Sequence, residues 1–551
     1  MTQAADLVLL DGEIHPFTAT ADATALRAGP DADLPEALAI RNGEIVRIGT
    51  TYDVEFLAGT NTTVVDLDGA VVVPGFVDAH THMTTTGRYL VHADLSGARS
   101  PSEALRALEA RAEELDADGA DGADADGTVD DGGDSAASDG DNWVLGFGYD
   151  ESSWEESRYL TREDLDAVSN TRPVAAFRED MHVASVNSVV LDRLRSAMPD
   201  DDVETEGGKP TGVLVEEAVD PVYDAIEPGP DETRRLLSAA TEHAARLGLT
   251  GVHDMVRRSY APQVYRELDL DGELPIRVRL NYWADHLDAL EELGLRTNHG
   301  SDRVQVGGVK TFTDGSIGGR TAKLSAPYDD GDGAGQWVVS PEELSSLAER
   351  ADDAGFQLTV HAIGDEAIDA TLDVFAEHTA DPEASRHRIE HVELATDEAI
   401  ERFGELGVVA SMQPNFHKWA VPGGLYESRL GDRRPRTNRL SRLRDAGARL
   451  AFGSDGMPLG PLVGIHWAVN APADTQRLSV TEAIRAYTHG AAYAGFDEDR
   501  LGTIEPGACA DLTVLAESPW ESPDRVREID VAMTIVDGEI VYDGREDASR
   551  L

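Results

Sequence analysis

Lysine is the residue that this chain of 551 amino acids most clearly lacks. Its 47 basic residues include only four lysines, Lys209, Lys310, Lys323 and Lys418, against 104 aspartates and glutamates, and the formal net charge is −57. A surface of this charge repels nucleic acid and anionic membranes, so we expect neither as a partner. Such acidity is tolerated where salt screens charge over short distances, which predicts a halophilic protein from a high-salt cytoplasm. Each remaining lysine calls for an explanation.

Cysteine and long apolar runs are equally scarce. Cys509 is the only cysteine, which excludes an internal disulfide framework and fits a reducing compartment. The first residues, MTQAADLVLLDGEIHPF, contain no basic segment and only a short apolar run, so they predict neither a signal peptide nor a membrane span. Together these features predict a soluble, cytoplasmic protein.

Short β-rich segments lie at both ends of the chain. Residues 6–70 contain ADLVLLDGEI, ALAIRNGEIVRIG and TTVVDLDGAVVV, and the far end contains GACADLTVLA and VAMTIVDGEIVYDG. Runs of this kind, separated by Gly and Asp turns, are typical of small antiparallel hairpins. We therefore predict that residues 1–70 and 500–551 form one composite β-sandwich domain, and that residues 71–499 form a larger domain.

The middle of the chain alternates strand-like runs with helical patterns, as βα units around a parallel sheet do. Eight runs are candidate strands: VVVPGFVDAH, GLTGVHDM, IRVRLNYW, RVQVGGVKTF, FQLTVHAIG, HRIEHVEL, GVVASMQP and RLAFGSDG. Eight is the number that closes a TIM barrel. The predicted fold class is α/β, a TIM (β/α)8 barrel with a small β-sandwich domain formed by both termini.

A long interval between the first two predicted strands indicates an inserted α/β subdomain after strand 1, at residues 92–225, over the mouth of the barrel. Within it, residues 116–141 are a tract of Asp, Gly, Ala and Ser with almost nothing to bury. We expect this tract to be a disordered, solvated loop with no catalytic role.

Polar side chains that suit a metal ion end five of the predicted strands: His80, His82, Lys310, His361, His391 and Asp455. His80 and His82 are two residues apart on strand 1 and therefore point the same way. Because active sites of TIM barrels lie at the carboxyl ends of the strands, these groups are expected to converge. Imidazole and carboxylate bind zinc and related ions, and catalytic sites leave a position for water.

Lys310 lies in the apolar run VQVGGVKTF of a chain that otherwise avoids lysine. A buried ammonium beside metal cations is doubly unfavourable. Reaction of its deprotonated amine with carbon dioxide would give a carbamate, the bridging anion that two ions need. Alternatively, Lys310 pairs with an acid such as Asp314 or contacts substrate directly. In that case a single metal would be held by His80, His82, His361 and Asp455.

These residues stand in blocks that resemble the metal-dependent amidohydrolase superfamily, in particular the amidohydrolase family 3 subgroup that contains N-substituted formamide deformylases. Similar blocks cover nearly the whole chain, among them PGFVDAHTH, REDMHVASVNS, VKTFTDGSIGGRTA, TVHAIGDEAI, RIEHVEL, FGSDGMP and LGTIEPGACADLTVL. The resemblance implies a hydrolase that cleaves a non-peptide C–N bond in a small-molecule N-acyl or N-formyl amide. It also implies a carbamylated Lys310, Asp455 as general base, and one or two divalent ions, with zinc the first expectation.

Three further residues are candidates for substrate contact. His182, in REDMH, lies in the inserted segment, and His253, in GVHDM, ends strand 2. Arg320 lies in the glycine-rich DGSIGGRTA loop after strand 4. The alternatives are a hydrogen-bonded core histidine at position 182, a supporting role behind the metal ligands for His253, and an Arg320 that only holds its loop closed.

Two other functions stay open. A mononuclear deaminase or cyclic-amide hydrolase of the same superfamily would bind one metal ion instead of two. A barrel that has lost catalysis and serves as a small-molecule binding protein is the alternative from another class. Such a protein would be expected to lose some ligands, whereas these strand ends all keep polar groups. The oligomeric state also stays open, and a homodimer is one candidate because large hydrolases of this kind commonly pair.

Overall fold

A computed structural model describes residues 3–18, 34–121, 143–179 and 182–545. The chain divides into two compact units. The first comprises Met1–Met83, Thr241–Arg258 and Tyr265–Leu551, and the second comprises Thr84–Ala240 and Ser259–Val264. In the described part of the chain, no helix combines the length and the apolar character that crossing a bilayer requires.

Eight strands of the first unit form a single parallel sheet in which neighbours in the chain are neighbours in space. They are Phe76–Thr81, Leu249–Val256, Arg277–Trp283, Val304–Phe312, Gln357–Ala362, Arg388–His391, Val409–Met412 and Arg449–Phe452, here called barrel strands 1 to 8. The amides of Ser454 and Asp455 donate hydrogen bonds of 3.2 and 2.7 Å to the carbonyl of His80, which joins strand 8 to strand 1. The predicted TIM barrel is confirmed.

The first predicted strand divides at Gly75. Val71–Pro74 pairs antiparallel with Leu512–Leu515 in a separate sheet, whereas Phe76–Thr81 begins the barrel. A Cβ at Gly75 would lie only 2.3 Å from Oγ1 of Thr250, so the chain can pass from one sheet to the other here only as glycine. The prediction of one strand over 71–80 is therefore wrong in its first part, because an apolar run does not indicate which sheet it joins.

Helices connect the barrel strands and cover the sheet. Those of the first unit downstream of strand 3 are Leu287–Glu292, Pro341–Asp353, Asp365–His378, Asp397–Leu406, Leu425–Leu430, Leu440–Asp445, Pro461–Val469, Val480–Arg485 and Ala491–Ala494. The longer ones carry local start signals. Ser340 caps the helix that begins at Pro341 by accepting from the amide of Glu343, whose side chain accepts in return from Ser340.

Two small sheets accompany the barrel in the first unit. One contains Leu7–Leu10, Ala37–Arg41, Glu44–Gly49 and Thr63–Asp66, and the other contains Glu13–Ile14, Val71–Pro74, Leu512–Leu515, Val531–Val536 and Glu539–Asp543. Leu9, Ile40, Val72, Leu512 and Ile535 share one buried apolar cluster. The second sheet thus combines strands that lie far apart in the sequence.

The second unit is built on one six-stranded sheet. Its strands are Ala93–Asp94, Val144–Tyr149, Val174–Arg178, Val183–Val186, Val203–Glu206 and Lys209–Val215. Its helices include Pro101–Asp121, Arg162–Val168, Ser188–Leu194 and Asp220–Ala225. The aromatic side chains of Trp143, Tyr149 and Trp154 are buried in its apolar clusters.

The acidic tract predicted as a loop at 116–141 begins inside a helix. Residues 116–121 continue the helix Pro101–Asp121, and the carboxylate of Asp116 accepts a 2.7 Å hydrogen bond from Arg172. The predicted start of the loop is therefore too early. The ion pair ties this part of the helix to the segment that precedes the strand Val174–Arg178. Residues 122–141, which make up the rest of the tract, lie outside the described residues.

Candidate metal centre

Imidazole and carboxylate groups converge at the carboxyl edge of the barrel. One ligand atom from each of His80, His391 and Asp455 lies within 4.8 Å of the others. Nε2 of His82 and Nε2 of His80 are 3.3 and 3.6 Å from the same Asp455 oxygen, Oδ1. The ring centroid of His361 is 4.5 Å from that of His391. The structure thus brings together five of the six predicted metal-site residues in a donor set that suits a divalent ion.

Three of the four histidines of the centre are buried, and each bonds a fixed acceptor through one ring nitrogen. The pairs are His80 Nδ1 with Glu390 Oε2 at 2.5 Å, His391 Nδ1 with Gln413 Oε1 at 2.6 Å, and His361 Nε2 with the Gly315 carbonyl at 3.0 Å. A neutral imidazole has one donor and one acceptor nitrogen. These contacts therefore leave Nε2 of His80, Nε2 of His391 and Nδ1 of His361 as the lone pairs available to a metal.

The electrostatics of the centre favour the ligand forms. Burial, together with nearby positive groups such as Lys310, lowers the pKa of His80, His361 and His391 well below the usual value, which keeps them neutral. Burial alone would raise the pKa of Asp455, but the hydrogen bond from His82 and the neighbouring cations outweigh it and hold that pKa below its usual value. Asp455 is therefore an ionised carboxylate at neutral pH.

Lys310, the sixth predicted residue, lines the same centre. Its side chain is buried, and its Nζ has no hydrogen-bond partner among the described residues. Burial lowers the pKa of Lys310 to about 8, so a fraction of the amine is unprotonated near neutral pH. A buried amine without a partner is costly, whereas a carbamate at this position would offer oxygen ligands to the metal site. Lys310 therefore fits the carbamate prediction.

A cavity of about 350 Å³ opens at this cluster, a size that suits a small-molecule ligand. Apolar and aromatic side chains form most of its wall: Phe312, Ile317, Ile363, Phe416, Trp419, Leu425, Tyr426 and Met457. Glu393 adds a buried carboxyl group, which accepts a hydrogen bond from the hydroxyl of Tyr426. An uncharged or largely apolar substrate with one polar centre matches this wall.

The structure does not place His253 or Arg320 among the residues that line the cavity. His253 is buried, and its Nδ1 accepts a 2.9 Å hydrogen bond from Nη1 of Arg388. Arg320 donates two hydrogen bonds, of 3.0 and 2.9 Å, to the carboxylate of Asp330 ten residues further on. Each residue is thus held by a charged or polar neighbour, and a part in substrate binding stays a prediction for both.

His182 belongs to the second unit. Its side chain is exposed, and Nδ1 lies 3.2 Å from Oε2 of Glu216. Its part in substrate binding stays a prediction.

Three polar residues around the centre were not predicted: Arg388, Glu390 and Glu393. All three lie in or beside barrel strand 6, in the run HRIEHVEL. Strands of a parallel barrel are buried on both faces, so charged residues in such a run must find partners inside the protein. That signal was present in the sequence, but the identity of each partner was not.

Replacing Glu393 with glutamine is expected to change how the stability of the metal-free protein depends on pH. Burial raises the pKa of Glu393 to about 7 from the model-compound value of 4.5, and repulsion from Asp314 and Asp455 adds to the effect. The folded state thus binds this proton more tightly than the unfolded chain. The contribution of Glu393 is therefore largest below pH 4.5 and declines by about 3 kcal/mol as the pH rises to about 7.

Denaturant titrations of chelator-treated wild type and Glu393→Gln at several pH values measure this effect. The difference in free energy of unfolding, wild type minus variant, should fall across that window and level off above it. A difference that stays constant with pH contradicts the assignment.

A TIM barrel with such a donor set at the carboxyl ends of its strands defines a metal-dependent hydrolase. The family model described as "Amidohydrolase family" matches residues 63–542, so the chain belongs to the amidohydrolase family. The resemblance read from the sequence blocks is confirmed.

Individual relatives agree with this assignment. The YtcJ protein of Bacillus subtilis (strain 168) is 31% identical over 93% of this chain and 97% of its own length. The N-substituted formamide deformylase of Arthrobacter pascens is 26% identical over 98% of this chain and 99% of its own. The crystal structure of an uncharacterized metal-dependent hydrolase from Pyrococcus furiosus superposes with a TM-score of 0.74 at 30% identity, and the match covers 93% of this chain and 99% of that one.

Proposed function

We propose that this protein hydrolyses a non-peptide C–N bond in a small N-acyl or N-formyl amide. The observation that carries the proposal is the group of His80, His391 and Asp455, in which a free ring nitrogen of each histidine lies near the carboxylate in the lining of one largely apolar cavity. The full-length similarity to a protein named N-substituted formamide deformylase supports the amide class.

The donor set fits two adjacent divalent ions, with zinc the first expectation. His80, His82 and Asp455 would hold one ion, and His361 and His391 the other. Lys310 would bridge them as a carbamate: the amine nitrogen attacks the carbon of carbon dioxide, an N–C bond forms, and the nitrogen releases a proton. Bound divalent ions polarise a carbonyl and lower the pKa of water toward neutrality.

Asp455 is the residue placed to move the proton. Its ionised carboxylate would accept a proton from the attacking water as the new C–O bond forms at the amide carbon. The carboxyl group would then return that proton to the nitrogen as the C–N bond breaks, which releases an amine and a carboxylic acid. His82, whose Nε2 is 3.3 Å from Oδ1 of Asp455, would bind the same ion as this carboxylate.

A mononuclear deaminase or cyclic-amide hydrolase is the second candidate. It is favoured by the compact group formed by His80, His391 and Asp455, which would hold one ion without Lys310.

Metal analysis separates the two candidates. Purified protein is expected to contain about two ions per chain if Lys310 bridges a pair, with His80 and His82 on one ion and His361 and His391 on the other. One ion per chain would favour the mononuclear candidate. The matching activity test is a panel of N-formyl amides, N-acyl amides, cyclic amides and aminated heterocycles. Hydrolysis of the open-chain amides supports the proposal, whereas metal-independent ligand binding with no turnover of any compound would indicate a binding protein.

A further inference from the structure

A chain of buried polar contacts leads from the metal centre into the barrel. His80 donates through Nδ1 to Oε2 of Glu390 at 2.5 Å, and Nε of Arg388 lies 2.6 Å from the other oxygen, Oε1. Nη1 of Arg388 contacts Nδ1 of His253 at 2.9 Å. His80, Glu390, Arg388 and His253 are each at most 4% exposed. Three barrel strands, 1, 2 and 6, are connected by these contacts.

The two oxygens of Glu390 face different donors. One oxygen faces the ring of His80, and the other faces the guanidinium of Arg388. The arginine balances the charge of the carboxylate, so the pair is formally neutral in a place where an isolated buried charge would be costly. One oxygen of Glu390 can therefore accept a hydrogen bond from His80 while the other lies beside Arg388.

Arg388 also reaches the backbone of strand 1. Its Nη2 donates a 2.8 Å hydrogen bond to the carbonyl of Ala79, the residue that precedes His80. One guanidinium thus fixes both the acceptor of the His80 ring and the main chain that carries this ring. His253 completes the arrangement: burial and the nearby arginines lower its pKa well below the usual value, so its neutral Nδ1 accepts from Arg388.

We propose that Glu390 and Arg388 are positioning residues that hold His80 in the one orientation and tautomer in which Nε2 can bind a metal ion. This inference rests on the proposed function in one respect, since it requires that a metal ion binds at this centre. It does not depend on which bond the protein hydrolyses. It also assigns a role to His253, whose ring ends the contact chain.

Glutamine at position 390 cannot satisfy both neighbours. If its carbonyl faces His80, its amide nitrogen faces the guanidinium of Arg388, and two donors meet. If its carbonyl faces Arg388, its amide nitrogen faces Nδ1 of His80. That second arrangement favours the tautomer with hydrogen on Nε2, which cannot bind a metal.

The test compares metal affinity in Glu390→Gln and wild type by competition with a chelator, using Zn²⁺ as the probe. We expect a loss of about 10- to 100-fold in affinity. Asp511→Asn is the matched control. It disrupts another buried arginine–carboxylate pair of the same unit, in which Arg277 donates to Asp511 at 2.8 and 2.9 Å. The control is expected to lower the Tm of the metal-free protein but to keep wild-type zinc affinity.

The double variant Arg388→Met/Glu390→Gln tests the mechanism and also covers the case in which the single variant fails to fold. It contains no uncompensated charge, and its glutamine carbonyl is free to turn toward His80. We therefore expect its zinc affinity to recover in part, because the His80 ring regains an acceptor while the Ala79 carbonyl still lacks its Arg388 donor. A merely structural role predicts a double variant at least as weak as the single variant.

The outcomes separate this inference from the proposed function. A wild-type protein that binds no zinc overturns both. Tight binding by wild type with the same affinity in Glu390→Gln, or a double variant with no recovery, overturns the positioning role alone. A weakened single variant, an unaffected control and a recovered double variant support it.

Discussion

Asp455→Asn is expected to lower kcat/KM for the amide substrate by about 10²- to 10⁴-fold, the range typical of a lost general acid–base. Asparagine keeps the size of the side chain and one oxygen, but its amide cannot take a proton from water or return one to the leaving nitrogen. Steady-state kinetics at neutral pH, with metal content measured on the same samples, check this expectation.

The pH dependence separates proton transfer from metal binding. The pKa of Asp455 lies below its usual value because the hydrogen bond from His82, with Lys310 nearby, outweighs the effect of burial. Activity of the wild type should therefore persist into mildly acidic solution and fall as this carboxylate is protonated. Protonation of the metal-binding histidines is a separate cause of activity loss, and metal content measured at each pH identifies it. The base role is supported if Asp455→Asn keeps the wild-type metal content and its residual activity no longer falls in acidic solution. Unchanged turnover in the variant contradicts it.

Lys310→Met is expected to reduce the metal content to about one ion per chain and to lower kcat/KM by about 10³-fold, since a second metal ion supplies several kcal/mol of transition-state stabilisation. Methionine fills similar space but cannot form a carbamate. Lys209→Met serves as the control, because Lys209 is exposed in the second unit.

Carbon dioxide provides an independent check on Lys310. Metal-free wild type in buffer without carbon dioxide should regain activity slowly when zinc is added, and bicarbonate should accelerate the recovery. Lys310→Met should show no response to bicarbonate. A wild type that reactivates equally fast with and without bicarbonate would mean that Lys310 acts as an uncarboxylated amine.

The barrel and the cluster of polar residues at its carboxyl edge could be predicted because they leave local signals. Each strand buried on both faces must be an apolar run, and a polar residue at the end of such a run lies at the carboxyl edge. His361 and His391 were found in this way, one strand apart. Gly75 shows the limit of the method, since Val71–Pro74 and Phe76–Thr81 look like one strand until their partners are known.

Pairings between distant residues could not be predicted. Glu390 and Gln413 support the histidines only because their strands are neighbours and their side chains point inward. Arg320 could have faced a ligand, but the fold of its loop brings Asp330 within hydrogen-bonding distance. Which residues pair depends on three-dimensional packing. A single sequence gives the type of each residue but not the residues that contact it in the folded protein.

The pairing of Val71–Pro74 with Leu512–Leu515 bears on how the protein is made. During translation, Val71–Pro74 leaves the ribosome long before its partner strand Leu512–Leu515. The amides of Ser454 and Asp455, which bond to the His80 carbonyl, also emerge much later than His80. Until then the valine-rich strand has an open edge that can pair with another nascent chain. Translation that halts before residue 512 would therefore yield aggregation-prone fragments, and the metal centre would be completed only near the end of synthesis.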